Sequence, residues 1–116
     1  MRILVCGGRN FISVKLLYKE LDALHEQYHF DSLIHGDAAG ADTLAKHWAR
    51  SRDIPSKAYP ADWDQYKKAA GPIRNSQMLS EGKPDIVVAF EGGVGTADMI
   101  MKAKRAGVQV VEIAND

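Results

Sequence analysis

The sequence has 116 residues, 46% of them hydrophobic and 26% charged, the composition of an ordinary globular protein. Its fifteen basic and fifteen acidic side chains cancel, which argues against nucleic acid or an anionic membrane as a partner and makes any anion site a local one. The single cysteine excludes an intramolecular disulfide and a cysteine-based metal cluster, and no run approaches the roughly 18 apolar residues of a membrane span, so we expect one cytoplasmic domain over residues 1–116.

Short apolar runs alternate with helical patterns in the first half of the chain. Residues 3–6 are predicted to form a buried strand, and apolar residues then recur at helical spacing over 14–28. A second strand is predicted over 31–35 and a second amphipathic helix over 41–48. Residues 56–59 are a weaker third strand, which ends before a proline.

The second half continues the alternation. Residues 62–70 are predicted to form a short helix or an ordered loop, and a helix then begins at Pro72 and runs to about Ser80, because proline is favoured at the first helical position. Residues 85–90 form the clearest strand, nearly all apolar and bounded by proline and glycine. A helix over about 97–106 and a strand over 108–113 complete the pattern.

The order of elements predicts the fold class and the place of a site. It indicates an α/β Rossmann-like three-layer sandwich with a mostly parallel sheet of about five strands. In such sheets, ligands bind beyond the carboxyl ends of the strands, near the point where the strand order reverses. Three glycine-bearing loops follow strands, at residues 7–9, 36–40 and 91–96. We expect these loops to gather on one rim of the sheet.

The third loop has the features of a phosphate-binding turn. Gly92, Gly93 and Gly95 lie between a buried strand and a helix, where glycine admits close approach of a ligand and the helix start supplies unpaired N–H donors. Thr96 is predicted to cap this helix, and Asp98 to lie in its first turn. The alternative is a tight strand–helix corner without a ligand, since the spacing matches neither the dinucleotide fingerprint nor the Walker motif.

Charged side chains on the predicted rim each have two interpretations. Arg74 is predicted in the first turn of a helix, where a cation is disfavoured unless an anion such as phosphate lies nearby. Arg9 and Arg74 are therefore either phosphate contacts or exposed surface charges. Asp37 and Asp42 flank the second glycine loop, where a carboxylate can accept hydrogen bonds from ribose hydroxyls. Asp42 alternatively caps the following helix.

Aromatic, histidine and cysteine side chains give weaker signals. Trp63 and Tyr66 either stack on a base or anchor an irregular loop to the core. His35 is either a base or a side chain satisfied by neighbouring backbone. The histidines show no metal-ligand spacing, so we expect no metal and no other resident cofactor. Cys6 is expected to be a small buried hydrophobe.

Several motifs together resemble the cpYpsA-related branch of the SLOG superfamily, over nearly the whole chain. They are Gly-Gly-Arg at 7–9, His-Gly-Asp-Ala-Ala-Gly-Ala-Asp at 35–42, Ala-Asp-Trp at 61–63, Ala-Gly-Pro-Ile-Arg-Asn at 70–75 and Gly-Gly-Val-Gly-Thr-Ala-Asp-Met at 92–99. The resemblance implies a Rossmann-like domain that binds a nucleotide or nucleotide-derived ligand (a nucleoside phosphate, ADP-ribose or a cyclic relative) as a sensor, carrier or sponge. SLOG proteins often dimerise, so it also implies a homodimer.

The loops and motifs together single out one set of candidate site residues. The predicted ligand-binding residues are Gly7, Gly8, Arg9, Gly36, Asp37, Gly40, Asp42, Trp63, Arg74, Asn75, Gly92, Gly93, Gly95 and Thr96. In this hypothesis the phosphate lies on the 92–96 loop with Arg74, the ribose on Asp37 or Asp42, and the base near Trp63.

The resemblance also brings an enzymatic alternative. SLOG relatives include the LOG phosphoribohydrolases, whose motifs Arg-Lys-x-x-Met and Pro-Gly-Gly-x-Gly-Thr-x-x-Glu correspond to residues 74–78 and 91–99. Asn75 replaces the lysine, Glu91 the proline and Met99 the final glutamate. Because N-glycoside hydrolysis needs a carboxylate near the anomeric carbon, a hydrolase here would depend on the adjacent Asp98. A third hypothesis, single-stranded nucleic-acid binding as in DNA-processing relatives, would use a patch of Arg9, Lys67, Lys68 and Arg74.

Overall fold

The computed structural model describes residues 1–114. Five strands form one sheet: β1 (Arg2–Cys6), β2 (Ser32–His35), β3 (Ser56–Ala58), β4 (Ile86–Ala89) and β5 (Gln109–Glu112). All neighbouring strands are parallel, and their order is β3-β2-β1-β4-β5. The predicted fold class is therefore confirmed. Residues 115 and 116 of the predicted domain lie outside the described residues.

Residues 1–114 contain five α-helices: α1 (Val14–Tyr28), α2 (Ala41–Ser51), α3 (Trp63–Tyr66), α4 (Ala70–Gly82) and α5 (Val94–Arg105). A 3₁₀ turn at Lys67–Ala69 joins α3 to α4. Side chains of α1 and α2 pack on one face of the sheet, and those of α4 and α5 on the other. Within residues 1–114, no helix combines the length and the apolar character that crossing a membrane requires.

The central strands are buried on both faces, which is why they appear in the sequence as continuous apolar runs. Along β1, Ile3 and Val5 belong to the core beneath α1 and α2, whereas Leu4 and Cys6 belong to the core beneath α4 and α5. Cys6 is the expected buried hydrophobe, and burial raises the pKa of its thiol to about 12. The thiol is therefore protonated and unreactive at neutral pH.

The strand order reverses between β1 and β4. From β1 the chain builds outward through β2 and β3, and it then returns to the other side of β1 to form β4 and β5. The loops that follow β1 and β4 thus lie next to each other, and the Gly8 N–H donates to the Glu91 carbonyl at 2.9 Å. This is the position at which open α/β sheets bind ligands.

Two helices begin earlier than predicted, and this corrects three expectations. Because the first N–H groups of a helix have no intrahelical partner, Pro72 is tolerated as the third residue of α4 and does not mark its start. Arg74 therefore lies in the second turn of α4. Likewise α5 begins at Val94, so Thr96 is its third residue and not its cap, and Asp98 lies beyond the first turn. Gly93 is the N-cap, with no side-chain capping bond.

Candidate functional site

A cavity of about 780 Å³ lies at the carboxyl ends of β1 and β4, and we call it the rim cavity. Its walls are the loop after β1, the loop after β4 with the start of α5, and the first half of α4. It brings together most of the predicted site residues: Gly7, Gly8, Arg9, Asp42, Trp63, Arg74, Asn75, Gly92, Gly93, Gly95, Thr96 and Asp98.

A smaller cavity of about 300 Å³ adjoins it, and we call it the side cavity. It lies beside the loop after β2 and contains the predicted residues Gly36 and Asp37. Gly40 lines neither cavity. It has a φ of +78°, and a Cβ there would overlap the Gly8 carbonyl, so the structure gives it a packing role beneath the rim. Its contact with a ligand stays a prediction.

The glycines of the 91–96 loop fall into two classes. A Cβ on Gly92 would collide with the Thr96 hydroxyl and lie 2.7 Å from the Gly8 nitrogen, so Gly92 is needed for the two loops to meet. A Cβ on Gly93 or Gly95 would have no neighbour within 4 Å. Both of these glycines line the rim cavity. Packing alone therefore does not require glycine at positions 93 and 95, which leaves their backbone accessible to a ligand.

The N-terminus of α5 lies at the rim cavity. The Ala97 N–H donates to the Gly93 carbonyl at 3.0 Å, as the first hydrogen bond of the helix. The amides of Val94, Gly95 and Thr96 precede it, and all three residues line the cavity. Such amides, together with the partial positive charge of a helix start, favour an anion.

Arg74 is held at the rim by side-chain hydrogen bonds. Its Nη1 donates to the Gly36 carbonyl at 2.6 Å and its Nε to the Asn75 Oδ1 at 3.0 Å. Asn75 is 3% exposed, and its Nδ2 donates to the Gly95 carbonyl at 3.1 Å and to the Asp98 carboxylate at 3.0 Å. Asn75 therefore links the arginine on α4 to the start of α5. Its predicted direct contact with a ligand stays a prediction.

Asp42 shapes the loop after β2 and does not cap α2. Its Oδ2 accepts from the amides of Gly36 and Ala38, each at 3.2 Å, whereas Gly40 is the N-cap. Its side chain is 5% exposed, and burial raises its pKa to about 6 against the opposing effects of these amides and of Arg74. Burial thus disfavours the ionised form of this carboxylate, which lies beside the cavity.

We expect this carboxylate to make the protein less stable as pH rises. The pKa of Asp42 is about 6 in the folded chain against a model value of 3.8, so the folded state binds the proton more tightly. Stability is therefore lost as pH rises from about 4 to about 6, by on the order of 3 kcal/mol.

Urea unfolding of the wild type and Asp42→Asn between pH 4 and 7 measures this loss. Asn keeps an acceptor for the two amides, so we expect the variant to lack that part of the pH dependence and to be the more stable protein at pH 7. Asp53→Asn, which changes an exposed carboxylate two residues beyond the end of α2, is the control for lost charge. Equal pH dependence in the wild type and Asp42→Asn would contradict the assignment.

His35 lies beneath the rim as a structural side chain. It is 1% exposed, its Nδ1 accepts from the Asp37 amide at 3.0 Å, and burial lowers its pKa. His35 lines neither cavity. The structure therefore agrees with a histidine that is satisfied by neighbouring backbone, and not with a catalytic base. Among residues 1–114, no group of three or more metal-ligating side chains is close enough to hold an ion.

The residue that takes the place of the LOG glutamate points away from the site. Met99 is fully buried in the core beneath α4 and α5. The neighbouring Asp98 lines the rim cavity, forms an ion pair with Lys102 at 3.0 Å, and accepts from Asn75. The carboxylate at this end of the cavity is thus present but already engaged by a cation and an amide.

Several lining residues are absent from the predicted ligand-binding set, among them the exposed or charged side chains of Ile12, Val94 and Lys68. Ile12 and Val94 are 85% and 89% exposed at the cavity mouth, and Lys68 supplies another cation. Ile12 and Val94 could have been identified from the sequence, because they are apolar residues inside polar, glycine-rich loops and the core does not require them there. Lys68 was predicted only as part of a nucleic-acid patch, since lysine is ordinary on a surface turn and carries no signal for a small-molecule cavity.

Comparison with known proteins agrees with this architecture. The model of the YAcAr family, described as the YspA, cpYpsA-related SLOG family, matches residues 1–66. The Gene 61 protein of Mycobacterium phage D29 is 31% identical over 122 aligned positions, which cover 98% of this chain and 97% of that protein.

A solved structure has the same fold. DNA processing protein A (DprA) from Streptococcus pneumoniae superposes with a TM-score of 0.78 at 20% sequence identity. The match covers 99% of this chain but only 50% of the DprA chain, so this chain corresponds to about half of that protein. At this identity the likeness concerns the fold alone.

Proposed function

The chain belongs to the YspA, cpYpsA-related SLOG family, and we propose that it binds a nucleotide or a nucleotide-derived ligand in the rim cavity. The observation that carries the proposal is the cavity itself. It has a volume of about 780 Å³, within the usual range for small-molecule sites, and it lies where the strand order reverses.

The phosphate of the ligand lies against the start of α5. Val94, Gly95 and Thr96, whose amides precede the first hydrogen bond of α5, line the cavity there, and Arg74 is tied to the same helix start through Asn75. An arginine and a row of backbone amides are the donors that phosphate oxygens require.

The charge balance of the lining favours one phosphate over a long polyanion. The cavity is lined by three cations and three carboxylates: Arg9, Lys68, Arg74, Asp42, Glu91 and Asp98. Asp42 accepts two backbone amides and Asp98 pairs with Lys102. These bonds partly satisfy the Asp42 and Asp98 carboxylates. The two arginines can therefore bind a local anion.

The apolar rim supplies a surface for the base. Ile12 and Val94 are exposed at the mouth, and the Trp63 ring is 45% exposed. Exposed carbon and aromatic surface beside a phosphate site suits a nucleobase, which has two apolar faces. Asp42 in the rim cavity and Asp37 in the adjoining side cavity are the two candidate carboxylates for the ribose hydroxyls.

A thermal-shift panel tests the proposal. The panel holds AMP, GMP, ADP, ADP-ribose and a single-stranded oligonucleotide, with adenosine as the control that lacks phosphate. At 100 times Kd, a ligand stabilises the folded state by about 2.7 kcal/mol, a rise of roughly 10 °C in Tm for a domain of this size. We expect such a rise for at least one small nucleotide and little for adenosine. The absence of a rise across the small nucleotides, or a rise with the oligonucleotide alone, contradicts the proposal.

Hydrolysis of the bound nucleotide is the second candidate, because Asp98 lines the same cavity. If the protein is a hydrolase, chromatography will detect free base after incubation with a nucleoside monophosphate. Asp98→Asn then abolishes release and leaves the affinity within about threefold of wild type, since an amide still accepts from Asn75. No released base from a nucleotide that the protein binds rules hydrolysis out.

A further inference from the structure

Residues 60–69, which we call the strap, lie beside both cavities and include no buried residue. The strap consists of α3, the 3₁₀ turn and the residues just before α3. All of its residues are exposed except Ala61, which is half-buried, whereas the flanking Tyr59 and Ala70 are 6% and 1% exposed. The core thus holds the strap at its two ends.

Between these ends, weak contacts hold the strap in place. Three of its backbone amides bond within the strap itself, to Asp62 and Trp63. The Trp63 ring lies beside Gly71 and under the Arg9 guanidinium, 5.3 Å from its centroid. A cation–π contact of exposed side chains is weak, and a segment with few buried contacts opens at small cost.

Lys67 has a backbone conformation that a lysine does not favour. Its φ is +54° and its ψ is −129°, close to the first central residue of a type II′ turn, where glycine dominates. Strain of this kind concentrates at ligand clamps and switch regions. Lys67 is exposed, so packing of its side chain does not offset the strain. Backbone rotation at Lys67, with opening of the strap, relieves it.

The next residue, Lys68, places a cation of the strap at the rim cavity. The arginines that line the same cavity, Arg9 and Arg74, belong to the loop after β1 and to α4. The position of the Lys68 cation therefore depends on the strap, and that of the two arginines does not. An anion in the cavity attracts Lys68 and so favours the closed strap.

We propose that the strap is a lid, which opens and closes over the rim cavity by rotation at Lys67, and that Lys68 binds the ligand phosphate when the strap closes. The inference rests on the proposed function and adds a conformational step to it. Strain at Lys67 raises the population of the open strap, and the contact between Lys68 and the phosphate offsets that strain in the complex. Lids of this kind move within microseconds to milliseconds.

Lys67→Gly tests the hinge, because glycine adopts this backbone conformation without strain. The closed strap is then favoured before the ligand binds, so we expect the Kd of the tightest-binding nucleotide to fall by about threefold or more. Relaxation-dispersion NMR should detect exchange at residues 62–69 of the free wild type, and this exchange should decrease in Lys67→Gly and in the nucleotide complex. Lys83→Gly is the matched control, since it replaces an exposed lysine with a φ of +50° at the end of α4.

Lys68→Met tests the cation of the strap, with AMP, GMP, ADP and ADP-ribose as the probes. We expect it to raise the Kd about tenfold, and Lys19→Met, at an exposed position on α1, to leave the Kd unchanged. If a probe binds but residues 62–69 show no exchange, or if the Kd of Lys67→Gly stays within twofold of wild type, the lid is overturned and the proposed function stands. Wild-type affinity in Lys68→Met overturns the role of Lys68. Binding of none of the four probes overturns both the lid and the proposed function.

Discussion

Gly92→Ala is expected to lower the free energy of unfolding by about 1–3 kcal/mol, the usual cost of forcing a side chain into filled space. The added Cβ would collide with the Thr96 hydroxyl and lie 2.7 Å from the Gly8 nitrogen, so the loops after β1 and β4 must separate. Since both loops line the rim cavity, nucleotide affinity should also fall by at least tenfold. Urea unfolding and calorimetry measure the two effects.

Gly95→Ala is the matched variant, and it distinguishes a phosphate site from a plain corner. Its Cβ meets nothing within 4 Å, and Ala is preferred over Gly in a helix, so stability should stay or rise by up to about 1 kcal/mol. The methyl group stands at the cavity wall, where it obstructs close approach of a phosphate. We expect at least tenfold weaker binding of a nucleotide by a fully folded protein. Wild-type affinity in Gly95→Ala would favour the corner interpretation.

Arg74→Met is expected to weaken nucleotide binding by 30- to 1000-fold, which corresponds to about 2–4 kcal/mol. In the proposed complex, Arg74 and the ligand phosphate form a partly buried, hydrogen-bonded charge pair. Truncating one member of such a pair causes losses of this size. Methionine keeps much of the side-chain volume but removes the donors to the Gly36 carbonyl and to Asn75. Calorimetric titration with the tightest-binding nucleotide of the panel measures the loss.

The same variant should also unfold more readily, and more so at pH 8 than at pH 5. Removing the cation takes away one of the influences that lower the pKa of Asp42, so that pKa rises further and ionisation above it costs more stability. Arg74→Lys should fall between wild type and Arg74→Met, because it keeps the charge without the planar fork. Arg50→Met, at an exposed position on α2, controls for net charge. Affinity within twofold of wild type in Arg74→Met would exclude Arg74 from the site.

The fold could be predicted because its signals are local. Each central strand is a short apolar run that ends at glycine or at a polar residue, and α1 follows an uninterrupted helical period from Val14 to Tyr28. The errors fell at helix starts that contain glycine or proline. In α4 and α5 the first turn tolerates these residues, because its N–H groups have no intrahelical partner.

The site could be predicted only in part, because its contacts are not local. Glycines after strands located the loops, but no sequence pattern joins Arg74 to the carbonyl of Gly36, 38 positions earlier, or Asn75 to Asp98, 23 positions later. The fully buried Met99 was identified as the residue in the LOG glutamate position. The sequence predicted Gly36 and Asp37 as site residues but not that they line a separate cavity, since that cavity is lined by residues from separate loops.

An amide NMR titration tests the central claim most directly, and at 12.8 kDa the chain suits it well. The titrants are inorganic phosphate, followed by the tightest-binding nucleotide of the panel. We predict that the largest shifts for both are at the amides of Val94, Gly95 and Thr96, and that the nucleotide adds shifts at Gly7, Gly8 and Trp63. Shifts confined to other surfaces, or none at saturating nucleotide, would contradict a phosphate site at the start of α5.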